Sequence, residues 1–375
     1  MEIVPFYGSH QGGITTPPQR HGFFAVLDLQ TRRREDLVTL LRGWTRIAAR
    51  LCAGRPAGQL DSDPEAVEPD SGAALGLGPS RLTVNIGFGA SLFGVKGPDR
   101  FGLRHRWPMA LIDVPPLPGD EVQRRHTGGD LTLHACADDP QVAFHAVRQL
   151  TRAAGTLAVV RWAQVGYNES VAAGGTPRNL TGFKDGTINP TTGTELNRFV
   201  WAVDDDQQWM RGGTYLVARR IRIQLEAWDA LTLGAQQRVI GRYKRSGAPL
   251  GRAHERDALD LDATDAAGRP LIPADAHVRL TSPQENWGQM LLRRSYSYDG
   301  GGGPPLGASD GDKLDAGLLF VAYQQNPRLA AIPMLEKLAR GDALRRFTVH
   351  TASAVAALPR GPAGPGHWIG EGLFA

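Results

Sequence analysis

The 375-residue sequence predicts an α+β protein in two halves, each an antiparallel sheet with helices on one face. Three observations predict it. Strand-like apolar runs come in closely spaced pairs, helical periodicities are too few for a doubly wound parallel sheet, and the order β-α-β-β-α-β occurs twice in outline. That order is the split βαβ rhythm of a ferredoxin-like half.

After the Gly- and Pro-rich opening PFYGSHQGGITTPPQRHG, which reads as an extended arm, GFFAVLDL (22–29) predicts a buried strand. In RREDLVTLLRGWTRIAARL, Leu37, Leu40, Leu41, Trp44, Ile47, Ala48 and Leu51 recur at helical spacing. A polar insert, 53–80, leads to the strand LTVNIGFG (82–89), and DLTLHACA (130–137) alternates like another. PQVAFHAVRQLTRAA is a helix opened by Pro140 behind acidic residues, and LAVVRWAQVGY closes the half as a strand. In the second half, FVWAV and GTYLVARRIRIQL predict strands, and EAWDALTLGAQQRVIG one helix. GLLFVAYQ (317–324) predicts a strand and PRLAAIPMLEKLARG a helix. The expected division is 1–175, with the arm, and 176–375. YDGGGGPPLGASDGDKLD (298–315) reads as a flexible surface loop, because prolines and no Gly-Lys-Ser/Thr follow its glycines.

Composition narrows the function classes. The net charge of +4 is carried by arginines scattered among acids, without the clustered footprint that nucleic acid requires. No apolar run is long enough to cross a bilayer. MEIVPFYGSH lacks the regions of a signal peptide, so the expectation is either the mature part of an exported protein or one made without a leader. Cys52 and Cys136 form no CxxC pair, which excludes a thiolate cluster of usual spacing and a disulfide framework. Both read as small buried hydrophobes.

Two places invite chemistry. NLTGFKDGTINP (179–190) reads either as a turn built on Asp-Gly, or as a loop that holds Asp185 at its tip to move protons. None of the ten histidines forms an HxxxH or HExxH pair. His134 has Cys136 two residues on; His145 and His350 lie near predicted helices; His10, His21, His105, His126, His254 and His367 fall at polar boundaries. His277, in PADAHVRLTSP, is structural by default, yet a lone histidine also suits the single axial ligand of a haem iron. Without CxxCH, such a haem is held noncovalently.

PFYGSHQGGITTPPQ, GGDLTLHACADD, RNLTGFKDGTINP, AHVRLTSP and LLRRSYSY, in that order, resemble the dye-decolourising peroxidase family, nearest its Tat-exported deferrochelatase/peroxidase branch. The likeness runs from about Pro5 to about Pro359. It implies ferredoxin-like halves of the dimeric α+β-barrel type, with one noncovalent haem b mainly in the C-terminal half. It also implies reduction of hydrogen peroxide through a ferryl state and oxidation of bulky organic donors such as dyes and phenols. The alternative it carries is a deferrochelatase that releases iron from haem, with incidental peroxidase activity. The family suggests export, with a cytoplasmic location and a homo-oligomer left open.

Carried over residue by residue, the resemblance places the distal acid on Asp185, the proximal haem ligand on His277 and the distal arginine on Arg293. Arg178 falls on a propionate arginine, and Asp342 on the partner of the His277 ring N–H, although Asp342 also reads as a helix cap. A carboxylate can take a proton from one peroxide oxygen and return it to the other, and a permanent cation can stabilise the charge that develops. A carboxylate base implies activity that persists into acidic solution. Ser295 stands where another branch has asparagine, and Arg294 is expected in a surface ion pair. Tyr296, Tyr298, Trp287 and Trp201 are expected to be core packing.

Overall fold

The computed structural model describes residues 2–61, 63–169, 175–203, 205–302 and 314–375. In the first half, β1 (His21–Leu29), β2 (Thr83–Gly89), β3 (Leu131–Ala137) and β4 (Ala158–Tyr167) pair antiparallel in the order β2-β3-β1-β4. Two amphipathic helices, α1 (Arg34–Cys52) and α2 (Pro140–Ala154), cover one face. The Asp139 side chain accepts from Gln141 N and Val142 N, and Pro140 lacks the N–H that would otherwise go unpaired, so α2 starts where the sequence predicts. Trp44 of α1 donates its indole N–H to the Leu150 carbonyl at 2.7 Å, which ties the helices together.

The second half carries α3 (Gly193–Phe199), β5 (Thr214–Ile223), α4 (Leu225–Asp229), α5 (Leu233–Ile240) and α6 (His277–Leu280). Then come β6 (Leu292–Arg293), β7 (Tyr296–Gly302), β8 (Leu314–Gln324), α7 (Ala331–Gly341), β9 (Thr348–Leu358) and α8 (Glu371–Phe374). β5 pairs antiparallel with both β8 and β9, and β8 also pairs with β6 and β7. The two sheets join at both edges: Phe88 of β2 opposes Ala357 of β9, and Tyr167 of β4 opposes Ser297 of β7. The sheet therefore closes into a barrel and leaves no long edge open. Phe24, Val26, Trp162, Leu216, Leu319 and Tyr323 fill its interior, which explains strands buried on both faces.

Several elements differ from expectation. FVWAV is no strand: Phe199 ends α3, and only Ala202 bridges, to Gly213. The single helix expected over EAWDALTLGAQQRVIG is two, because the Thr232 hydroxyl accepts from Ala235 N and starts α5 afresh. β9 went unpredicted because TVHTASAVAAL is alanine-rich and weak in strand propensity; pairing with β5 and β2 makes it a strand. His350 accordingly lies on a strand. Of the expected 298–315 loop, Tyr298 to Gly302 continues β7, and 303–313 lie outside the described residues. Among the described residues, no helix is long and apolar enough to cross a membrane.

Candidate active site

The loop after Arg178 is a small hairpin, bridged between Arg178 and Lys184, and glycines with positive φ make both of its bends: Gly182 at 80° and Gly186 at 102°. Asn179 organises it. Its Oδ1 accepts from the Thr181 N–H at 3.0 Å and the Thr181 hydroxyl at 2.6 Å, while its Nδ2 donates to Asp185 Oδ2 at 3.3 Å. Phe183 is buried against Trp228, whose indole N–H donates to the Thr181 carbonyl. Lys184 pairs with Glu255, which also accepts from the Thr187 hydroxyl at 3.2 Å. A loop held at so many points presents one carboxylate in one orientation.

Arg293, at the end of β6, meets that carboxylate. Its Nη1 lies 3.0 Å from Asp185 Oδ1, and its Nη2 donates to the Ile188 carbonyl at 3.2 Å. The Asn189 side chain exchanges two hydrogen bonds with the Arg293 backbone, at 3.0 and 3.1 Å, and so locks loop to strand. The chain then separates neighbours: Arg293 lines the cavity while Arg294, just past β6 and expected at the surface, is 3% exposed.

His277 opens α6. Its Nδ1 lies 2.6 Å from Asp342 Oδ2, and Asp342 Oδ1 accepts from the Leu344 N–H at 2.8 Å. Asp342 is thus both the histidine's partner and a helix cap. Nε2 has no hydrogen-bond partner among the described residues, and the 29% of the side chain left open faces the cavity. Burial alone would lower the His277 pKa; the Asp342 carboxylate outweighs it and raises the pKa above 6.5, helped by Asp185 and opposed by Arg293.

One cavity joins these groups. Ile221, Ile223, Leu318 and Phe320 of β5 and β8, with Met334 and Leu335 of α7, give it apolar walls. Asp185, Arg293, His277 and Asp342 all line it, and among the described residues the N-terminal half contributes only Leu117 to Asp120. Arg178 does not line it: its guanidinium donates to the Gly182, Lys244 and Arg245 carbonyls and braces the loop from behind.

Sequence reasoning missed three lining groups. Arg242 is 5% exposed and anchored through Nη1 to the Gly247 and Glu255 carbonyls. Burial, then the Arg293 charge, lower its pKa, as expected of two cations turned toward one space. Arg345 is a further cation on the wall. His350 accepts at Nδ1 from Arg219 Nε, 3.0 Å away, and burial, then Arg219, push its pKa down to about 3. Arg242 and Arg345 sit in ordinary-looking GRYKRSG and DALRRF, where nothing local signals a site.

The donor set fits a haem. An imidazole with Nδ1 committed to a carboxylate keeps Nε2 for iron, the walls suit an apolar macrocycle, and two cations can face its carboxylates.

Comparison with known proteins agrees. Residues 11–168 match the model "Dyp-type peroxidase, N-terminal", and 176–362 match "Dyp-type peroxidase, C-terminal". A dye-decolorizing peroxidase from Thermobifida fusca is 40% identical over 380 residues, covering 97% of this chain and 83% of the relative. A deferrochelatase from Yersinia pestis is 35% identical over 382 residues, covering 99% and 84%. The structure of ferric DtpA from Streptomyces lividans superimposes with a TM-score of 0.90 at 40% identity, covering 100% of this chain and 98% of that one. The ordered motifs, the closed barrel and the cavity are thereby accounted for together: the chain belongs to the Dyp-type peroxidase family.

Proposed function

We propose that this haem peroxidase cleaves hydrogen peroxide between Asp185 and Arg293 on one side and His277 on the other, and oxidises bulky donors such as dyes and phenols. The carrying observation is the Asp185–Arg293 pair at 3.0 Å, lining one cavity with a His277 whose Nε2 is free. Bound haem would supply the iron and the ring electrons that take up the oxidising equivalents of peroxide. His277 Nε2 would ligate the iron while Asp342 holds the Nδ1 proton, which makes the imidazole electron-rich. Arg242 and Arg345 would face the haem carboxylates. Neither cysteine lines the cavity, which supports a noncovalent b-type haem, one per chain. The division at 175/176 leaves nearly all of this lining in the second half.

The proton steps fall to Asp185. Its carboxylate would accept a proton from one oxygen of hydrogen peroxide and return it to the other, which leaves as water. Arg293 Nη1 and Asn179 Nδ2 hold the two carboxylate oxygens, so the group does not have to search for its position. Arg293 also stabilises the charge on the departing oxygen.

The Asp185–Arg293 pair in the cavity with His277 is what favours peroxide chemistry over iron release. Haem titration of the wild type and His277→Ala tests the reading: a Soret band that His277→Ala alters supports it, and an identical spectrum refutes His277 as ligand. Metal-free porphyrin after anaerobic incubation with haem would favour the deferrochelatase reading instead.

A further inference from the structure

The barrel interior holds a polar cluster that the cavity chemistry leaves unused. Asn85, His134, Cys136, Arg294, Tyr296 and Tyr323 meet there, each no more than 3% exposed. Their protons can be placed in sequence. Asn85 Nδ2 donates to the Gly12 carbonyl at 2.8 Å, so Oδ1 is the atom that accepts from Tyr323, 3.0 Å away. The Tyr323 hydroxyl has then given its only proton to Asn85, and at 2.9 Å it accepts from His134 Nδ1–H. Neutral His134 is left with an unprotonated Nε2, 3.3 Å from the Cys136 sulfur.

Charge argues the same way. Arg294 donates to the Thr16 carbonyl and the Gln19 side chain, but among the described residues its Nε has no partner, and the groups that act most on its charge, after burial, are Tyr296, Cys136 and Tyr323, none a carboxylate. A buried cation without a counter-ion is strongly unfavourable. The Cys136 sulfur is the neighbour able to become that anion. Burial by itself raises a thiol, but His134 and Arg294 overcome it and Cys136 settles at about 6. Cys52, equally buried without such neighbours, is pushed up to about 12.

Tyr296 completes the cluster. Among the described residues its hydroxyl has no hydrogen-bond partner, and it lies against the Cys136 thiol. Its ring crosses Gly22 so closely that a Cβ there would stand 2.7 Å from Cε2, and Gly166 makes room at the other end. Gly22 is the cross-strand partner of Cys136, so both point to the face on which the ring lies. Cε2 is ortho to the hydroxyl, the ring position at which an oxidised phenol couples.

We propose that Cys136 and Tyr296 are a self-processing pair, joined from Sγ to Cε2 as a thioether when the protein turns over peroxide without an external donor. The proposal rests on the haem-peroxidase reading, with hydrogen peroxide as the oxidant. The Cys136 thiolate gives up one electron, and its former proton, first held on His134 Nε2, is then released. The sulfur radical bonds to Cε2, and the ring then loses the second electron and the Cε2 proton. Those two electrons and two protons convert one hydrogen peroxide to two waters.

The test is peptide mass spectrometry of haem-loaded protein after peroxide without donor, with the Soret band followed in the same sample. The expected product links the Cys136 and Tyr296 peptides, two hydrogens lighter than their sum, with Cys52 still a free thiol. An excess of phenolic donor suppresses it, and Tyr296→Phe abolishes it. A free Cys136 after a clear Soret response overturns the proposal alone. Oxygen added to Cys136 and Cys52 alike overturns it too, because peroxide then reaches sulfur directly. An unresponsive Soret band overturns the peroxidase reading and this proposal with it.

Discussion

Asp342→Asn isolates what a carboxylate does for His277. Asp342 is 4% exposed, so water does not replace a lost partner. Its Oδ1 is committed to the Leu344 N–H at 2.8 Å, and asparagine caps a helix about as well as aspartate, so the fold is little disturbed. With its oxygen on Leu344, the new amide turns its NH2 toward His277. That makes Nδ1 an acceptor and drives the imidazole proton to Nε2, the nitrogen that the proposed iron ligation needs. Exchanging a charge-assisted bond for a neutral one costs about 1–1.5 kcal/mol, or roughly tenfold in affinity. The inverted tautomer carries the loss toward the roughly 100-fold end seen for partners of ligating histidines. Haem titration followed at the Soret band measures it, with Asp342→Ala as the variant that also loses the cap and about 1 kcal/mol of stability. An asparagine variant that bound haem within about twofold of wild type would refute the reasoning.

Three other outcomes follow from the same contacts. Arg293→Leu, which removes the cation 3.0 Å from Asp185, slows the reaction with peroxide about a hundredfold in stopped flow; an unchanged rate would exclude it from the chemistry. His350 stays neutral in the folded chain down to about 3, because of burial and then Arg219. The unfolded chain binds that proton below about 6.5, so stability falls as pH drops between those values, by about 1.4 kcal/mol per unit. Urea unfolding of haem-free protein at several pH values should show His350→Gln losing less than wild type, and equal losses would contradict this. Gly182→Ala places a Cβ 2.6 Å from the Lys244 side chain at φ 80°, so unfolding should become easier by about 1–3 kcal/mol.

Much of the barrel was legible because strands and helices that bury a full face carry their period in sequence. β1, α1, α2 and β5 lie within a residue or two of where the apolar spacing predicts them. β9 did not show, since alanines fill its inward positions and only its neighbours make it a strand. Asp185 and His277 were visible through local motifs, as residues that must stand in particular loops. Arg242 and His350 were not: Arg242 is held by the backbone carbonyls of Gly247 and Glu255, which carry no side-chain signal, and His350 pairs with Arg219 on another strand. Thr181 and Thr187 gained roles only from their partners, Asn179 and Glu255. Cys136 looked like Cys52 in sequence; His134 beside it and the buried Arg294, 158 residues on between β6 and β7, make the difference.

The central claim is that the loop exists to hold the Asp185 carboxylate where it moves protons. Stopped-flow mixing of peroxide with haem-loaded Asp185→Asn tests it most directly. The account predicts an unchanged resting spectrum and a rate lower by about 10²–10⁴-fold. A variant that reacted with peroxide at the full wild-type rate would contradict it.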